Sequence, residues 1–303
     1  MKDLPFLPPL LRRPCPRPAA LLPSALLKAT ALELAVLAGH VLLYPTGMYP
    51  TSMYPTGVTG ERRTGPHPSA PHTAPPDATA PAGTPVLPDE GDEHPPVVLL
   101  HGFIDNRSVF VLLRRSLARH GWRHLESLNY SPLTCDIRTA AELLGRHVEE
   151  ICARTGHHEV DIVGHSLGGL IARYYVQRLG GDQRVRTLIT LGTPHGGTAV
   201  APLASAHPIV RQMRTGSAPI EELRRPAPGC RTRFVSFWSE LDRVIVPAEA
   251  ARIDHPDLDA QNVRVTGIGH LALPVHPTVA AAVRQALESR EPTAEESGTA
   301  GAA

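Results

Sequence analysis

Several features that would steer a functional reading are scarce in this sequence. The 303 residues hold 4 cysteines, Cys15, Cys135, Cys152 and Cys230. They form no C-x-x-C pair and show no Cys/His spacing of the zinc type, which removes a dithiol redox motif and a structural metal site. Cys135 and Cys152 fall near opposite ends of one helical pattern; a rise of 1.5 Å per residue separates them by about 25 Å, too far to bond to each other. Charge of either sign is not in excess, with 30 Lys+Arg against 29 Asp+Glu and a net charge of +1. Aromatic residues make up only 4% and do not interleave with a basic stripe. A nucleic-acid surface is therefore excluded. No long apolar run is present near the N-terminus either: the stretch free of charge and proline from Leu34 to Tyr44 falls short of the roughly 20 residues a spanning helix needs.

Proline, by contrast, is plentiful and unevenly placed. Residues 1–94 contain "LPFLPPLLRRPCPRP" and "GPHPSAPHTAPPDATAPAGTP", compositions that cannot build a packed core and read as extended linker. Between them lies an apolar segment over about residues 20–44, followed by the short imperfect repeat "YPTGM", "YPTSM", "YPTGV", too short and polar for a solenoid. Lys2, Arg12, Arg13, Arg17 and Lys28 precede the most apolar part of that segment, while Glu33 interrupts it. Basic residues before an apolar stretch suit a signal sequence or membrane anchor; a carboxylate inside it suits a helix packed on the main domain. A secreted or membrane-associated protein with lipid-surface contact through this segment is one expectation, a cytoplasmic protein the other.

From Pro95 the pattern changes to strands alternating with helices, the signature of a parallel sheet covered on both faces. The strands are expected at "VVLL" (97–100), "HLESLNY" (124–130), "EVDIVGH" (159–165), "RVRTLITLG" (184–192), "RFVSFW" (233–238) and "NVRVTG" (262–267). One helix should open at Ser108 with Val109, Leu112, Leu113 and Leu117 on one side, and another should carry Ile137, Leu144, Val148 and Ile151 until Gly156 ends it. "LGGLIARYYVQRLGG" and "PTVAAAVRQALES" supply further helices. The expected division is a region 1–94, a catalytic domain 95–290 and a disordered tail 291–303, and a chain of this length can bury a self-sufficient core.

In "DIVGHSLGG" (161–169) a β-branched strand runs into Ser166, fenced by glycines. A nucleophile held in a sharp strand-to-helix turn has a strained backbone, and side chains two positions to either side would strike the neighbouring elements. Gly164 and Gly168 remove them, and Gly169 permits close helix packing. The N-terminus of the following helix sets positive dipole beneath a developing oxyanion. A serine hydroxyl also needs a histidine to take its proton and a carboxylate to hold that histidine. His270, in the loop "GIGHLAL" after the last strand, is the candidate base. His276 in "PVHP" better suits the start of the last helix, and His195 in "GTPHGG" is a loop histidine near the site. Asp242 in "SELDRVIVP" is the candidate carboxylate, with Glu240 its rival; Asp254, Asp257 and Asp259 read as a solvated connection. The backbone N–H groups of Leu167, after the serine, and of Phe103, in "HGFIDN" after the first strand, are the candidate oxyanion donors.

Taken together, "VVLLHGF", "DIVGHSLGGLIARYY", "LGTPHGGT", "SELDRVIVP" and "GIGHLAL" resemble the α/β-hydrolase superfamily, within it bacterial triacylglycerol lipases and carboxylesterases of compact kind. The resemblance spans roughly Pro95 to Glu288. It implies an α/β-hydrolase fold with about six parallel strands and helices on both faces. It further implies Ser166, Asp242 and His270 as a triad, Phe103 and Leu167 as oxyanion donors, and cleavage of acyl esters or lipids through an acyl-enzyme. No calcium-ligand motif of larger secreted lipases is matched, so no metal or other cofactor is expected. The proline-rich region stands where larger members have antiparallel opening strands. Acyl transfer from the same acyl-enzyme, or a silent fold used for binding, are the alternatives. Between Ala199 and Pro228, Val200, Leu203, Ile209, Val210, Met213, Ile220 and Leu223 fit an acyl pocket or lid and fit core packing equally well.

Overall fold

The computed structural model describes residues 27–39, 94–103, 107–128, 136–199 and 207–289. The proline-rich tracts, the YPT repeat, Cys15, Cys135, Val200, Leu203 and the expected tail lie outside these residues. Six strands, β1 (Val97–Leu100), β2 (Leu125–Leu128), β3 (Val160–His165), β4 (Val185–Leu191), β5 (Arg233–Ser239) and β6 (Ala260–Val265), form one sheet. All pair in parallel, in the order β2-β1-β3-β4-β5-β6. The fold is therefore the α/β arrangement that the alternating pattern predicts. Because side chains alternate along a strand, Val98, Leu100 and Ile162 enter one core with α3 (Ile137–Thr155) and α4 (Leu167–Arg178). Val97, Leu99, Val163 and Ile189 enter the other, with α2 (Val111–Arg119) and α7 (Pro277–Glu288). Strands covered on both faces read as continuous apolar runs, which is why "VVLL" carries no polar residue.

Local signals explain the helix limits. The Asp136 carboxylate accepts the Thr139 N–H at 2.8 Å and starts α3, and Gly156 closes it. Ile137, Leu144, Val148 and Ile151 are all buried, as their spacing predicts. Two details differ. The helix expected from Ser108 begins at Val111 after a short 3-10 turn, and Leu112 is 55% exposed while Val109, Leu113 and Leu117 are buried. Val109 lies in the 3-10 turn and not in α2, so the i, i+3, i+4 spacing that set Leu112 beside Leu113 does not carry through it. Strand β6 also starts earlier than Asn262, at Ala260. In the segment after β4, α5 (Pro208–Gln212) and α6 (Ala218–Leu223) bury Ile209, Val210, Met213, Ile220 and Leu223 in the α3–α4 core. For these five residues core packing is what the structure shows. Glu222 fastens α6, accepting from Tyr174 Oη at 2.5 Å and Arg138 Nη2 at 2.6 Å.

Residues 27–39 form a further helix, α1. Its Ala29 is buried and its Leu32 and Val36 pack on the α2–α7 core, while Leu27, Leu34 and Leu37 face outward. Among the described residues no helix is long and apolar enough to cross a membrane.

Strand order locates the functional end of the sheet. From β1 the chain moves outward to β2, then returns to β3 on the opposite side of β1. Helices leaving adjacent strands in opposite directions open a crevice at the strands' carboxyl ends. Leu100 lies opposite Gly164, and Gly164 opposite Thr190, so the loops after β1, β3 and β4 emerge at one level.

Candidate active site

Ser166 joins β3 to α4 with φ 52° and ψ −119°, the one non-glycine residue of positive φ among the described residues. Such a conformation costs on the order of 1–3 kcal/mol and survives only where neighbours over-determine it. Here its N–H donates to the Leu191 carbonyl at 2.9 Å, and its carbonyl accepts from Gly169 N at 3.1 Å and Thr193 Oγ1 at 3.0 Å. The fence of glycines has a direct steric cause. A Cβ on Gly164 would stand 2.5 Å from the backbone of Gly169, and one on Gly168 would stand 2.6 Å from the His101 carbonyl oxygen and 2.7 Å from Leu100 C. Without those side chains the start of α4 rests directly on the loop after β1.

That contact brings together the elements carrying the two candidate oxyanion donors. Leu167 is the first residue of α4, where N–H groups have no acceptor within the helix. Phe103 is half-buried against the α3–α4 core, its ring 5.3 Å from that of His207. The remaining residues of that loop, 104–106, are outside the described set.

His270 follows β6 and Asp242 follows β5. His270 Nδ1 and Asp242 Oδ2 are 2.7 Å apart, with both side chains at 4% exposure or less. The second carboxylate oxygen, Oδ1, accepts the N–H groups of Val244 and Ile245, each at 2.8 Å. A buried carboxylate so satisfied is held in one orientation. Ser166 is stitched to this pair through β4: its N–H is bound by Leu191, and the next residue, Gly192, abuts His270 Nδ1 and Asp242 Oδ2. Ser166, His270 and Asp242 thus converge at one end of the sheet.

The rival residues do other things. Glu240 is exposed and pairs with Arg264 at 3.2 Å. His276 caps α7, accepting the Thr278 N–H at 3.3 Å. Asp257 accepts the Ala227 N–H at 2.7 Å, a structural tie between loops. His195 is buried with its Nε2 3.0 Å from Thr190 Oγ1, and burial, then the nearby Arg173 cation, hold its imidazole well below the ordinary value. It is a neutral structural imidazole.

Four residues at the site escape a reading by motif. A Cβ on Gly192 would meet Leu273 Cδ1 at 2.9 Å, His270 Nδ1 at 3.0 Å and Asp242 Oδ2 at 3.1 Å, so the histidine and carboxylate close over a bare backbone. His165 stacks at an angle on His270, ring centroids 4.9 Å apart, with its Nε2 3.3 Å from the His270 carbonyl. Thr193 holds the Ser166 carbonyl. Glu33 reaches the His270 loop from α1. Gly192 and Thr193 lie in the quoted "LGTPHGGT" segment and His165 in the serine motif, whereas Glu33 showed in the sequence only as a carboxylate that suits a helix packed on the main domain.

Comparison with known proteins finds partial likenesses. A family model for palmitoyl protein thioesterases matches residues 96–226. A triacylglycerol lipase of Pseudarthrobacter phenanthrenivorans is 30% identical over 113 residues, 35% of this chain and 35% of that protein. The chain spans about a third of the length of the curated relatives it matches. Among solved structures, Bacillus licheniformis lipase BlEst2 in its mature form shares 18% identity with a TM-score of 0.56, covering 66% of this chain and 94% of that one. Aspergillus fumigatus lipase B shares 17% identity with a TM-score of 0.59, covering 68% of this chain and 56% of that one. The chain thus shares the fold of these solved lipases, and over part of its length it is similar to the palmitoyl protein thioesterase family and to triacylglycerol lipases.

Proposed function

We propose that this protein is a serine carboxylic ester hydrolase of the lipase or carboxylesterase kind, acting through an acyl-enzyme. The observation that carries the proposal is the 2.7 Å bond between two buried side chains, His270 and Asp242, beside the strained turn of Ser166. In this reading Asp242 holds the proton of His270 on Nδ1, so Nε2 carries no proton and accepts that of the Ser166 hydroxyl as Oγ attacks the ester carbonyl. The Phe103 and Leu167 N–H groups receive the carbonyl oxygen as it becomes an oxyanion, each worth roughly 10²–10³ in rate. Collapse breaks the ester bond, and the His270 proton leaves with the alcohol. Water then gives its proton to His270 and attacks the acyl-serine, releasing the acid and restoring Ser166.

An apolar acyl group is supported by the lipase relatives. The thioesterase match adds acyl thioesters, whose carbonyl the same machinery can attack. Incubating the full chain and Ser166→Ala with p-nitrophenyl esters of short and long chain, and with a long-chain acyl thioester, tests the proposal. Turnover by the wild type that falls at least about 10³-fold in the variant is expected; equal turnover by both would overturn it.

A further inference from the structure

Among the described residues, the contact at this site that spans the most sequence is made by Glu33. Its Oε2 accepts the Leu271 N–H and its Oε1 the Ala272 N–H, both at 3.0 Å. Those are the two residues after His270. His270 opens a tight turn in which Leu273 N–H returns to its carbonyl at 3.4 Å and His276 N–H to that of Ala272 at 3.0 Å. At the start of any such turn the leading N–H groups have no acceptor within it. Glu33 supplies that acceptor as a fork, one oxygen per N–H, and a charged acceptor strengthens such bonds. Gly269 makes room for it: all three atoms a Cβ there would crowd belong to Glu33, the nearest two at 2.6 Å. Gly269 has no positive φ, so its small size answers to the carboxylate and not to backbone conformation. Glu33 and His270 also line one cleft of about 210 Å³, together with Ala29, Leu241 and Val244.

We infer that Glu33 is a positioning residue for the His270 base, and hence that helix α1 is a working part of the active site. The inference rests on the triad reading above. Glu33 touches no reacting atom; it fixes the two peptide units that follow His270, while His165 meets the carbonyl of His270 itself. The imidazole is thereby held from both sides of its own backbone. Its orientation toward Asp242 and Ser166 then depends on a carboxylate from outside the strand-and-helix core. Ala29, Leu32 and Val36 also anchor α1 on the domain, independently of the carboxylate's own bonds.

The test uses the full chain with ester turnover referred to active sites titrated by a fluorophosphonate, so that loss of folded protein is separated from loss of rate. Glu33→Ala should lower kcat per titrated site by about tenfold, within the range that small misplacement of a catalytic group produces, with KM changed by less than about twofold and faster amide exchange at Leu271 and Ala272. Glu33→Gln, keeping one carbonyl acceptor, should fall between. Gly269→Ala should mimic Glu33→Ala by displacing the carboxylate, and the double variant should be no slower than Glu33→Ala alone. Fewer titratable sites at unchanged kcat per site, or fully additive losses in the double variant, would overturn the inference. A His270→Ala variant with wild-type turnover would instead overturn the triad, and any positioning role with it.

Discussion

Replacing Asp242 by Asn separates catalysis from stability. Asp242 does two jobs with two oxygens: Oδ2 meets His270 Nδ1 at 2.7 Å, and Oδ1 accepts the Val244 and Ile245 N–H groups at 2.8 Å. Asparagine keeps the volume and, with its oxygen toward Val244 and Ile245, keeps both backbone bonds. Its NH₂ then faces His270 and can only donate. Nδ1 must accept, the ring proton moves to Nε2, and the atom that should take the Ser166 proton already carries one. A wrong tautomer of this kind costs on the order of 10⁴ in kcat, or about 5.5 kcal/mol of barrier at 1.36 kcal/mol per decade. Stability should fall only by the difference between a charge-assisted and a neutral bond, about 1–2 kcal/mol. Asp242→Ala forfeits the backbone bonds as well and leaves two N–H groups short of an acceptor, at about 1–3 kcal/mol each. The assay is p-nitrophenyl ester turnover per titrated site beside urea unfolding. Asp242→Asn should be nearly inactive and close to wild type in midpoint, Asp242→Ala inactive and clearly less stable. An asparagine variant within tenfold of wild-type kcat would refute the reasoning.

Other perturbations follow from the same structure. Gly168→Ala drives a methyl against the carbonyls of Leu100 and His101, so thermal unfolding should register about 1–3 kcal/mol of overpacking and kcat should fall as the start of α4 lifts from the Phe103 loop. Arg186 meets the fully buried Asp161 carboxylate through two bonds, at 3.0 and 2.5 Å; Arg186→Ala should cost about 3 kcal/mol in denaturant titration by leaving that charge unpaired, with kcat per titrated site unchanged. His195, kept neutral by burial and Arg173, gives a pH signature. Its folded pKa lies below the ordinary 6.5, so below pH 6.5 the unfolded chain binds a proton the folded one refuses, and its contribution to stability is whole above that pH and lost as pH falls. The slope is at most about 1.4 kcal/mol per pH unit, and a His195→Gln variant should unfold with a shallower acid dependence between pH 5 and 6.5.

Much of the fold was legible because both governing signals are local. Strands buried on two faces are mostly apolar, so "VVLL" announces itself, and the Asp136 and Gly156 limits of α3 are set by residues within a turn of the helix ends. Leu112 was misplaced because periodicity fixes a face only once the helix start is known, and the 3-10 turn at Arg107–Phe110 moved that start. The Ser166 elbow could be read from spacing, since the glycines it needs are two and three residues away. Gly192 needs its bare backbone for side chains 50 and 78 positions further on (242 − 192 and 270 − 192), and no window along the sequence contains all three. Glu33 is harder still. In sequence its carboxylate is an interruption in an apolar stretch; in space it holds the turn after His270, 238 residues away at its nearer contact.

The most direct test of the central claim is mass spectrometry of the full chain after reaction with a fluorophosphonate, with peptide mapping of the adduct. The account predicts a single adduct on Ser166, formed rapidly in the wild type and at least about 10³-fold more slowly in Asp242→Asn. Ester turnover by a chain in which Ser166 stays unmodified, or equal labelling rates in the two proteins, would contradict it.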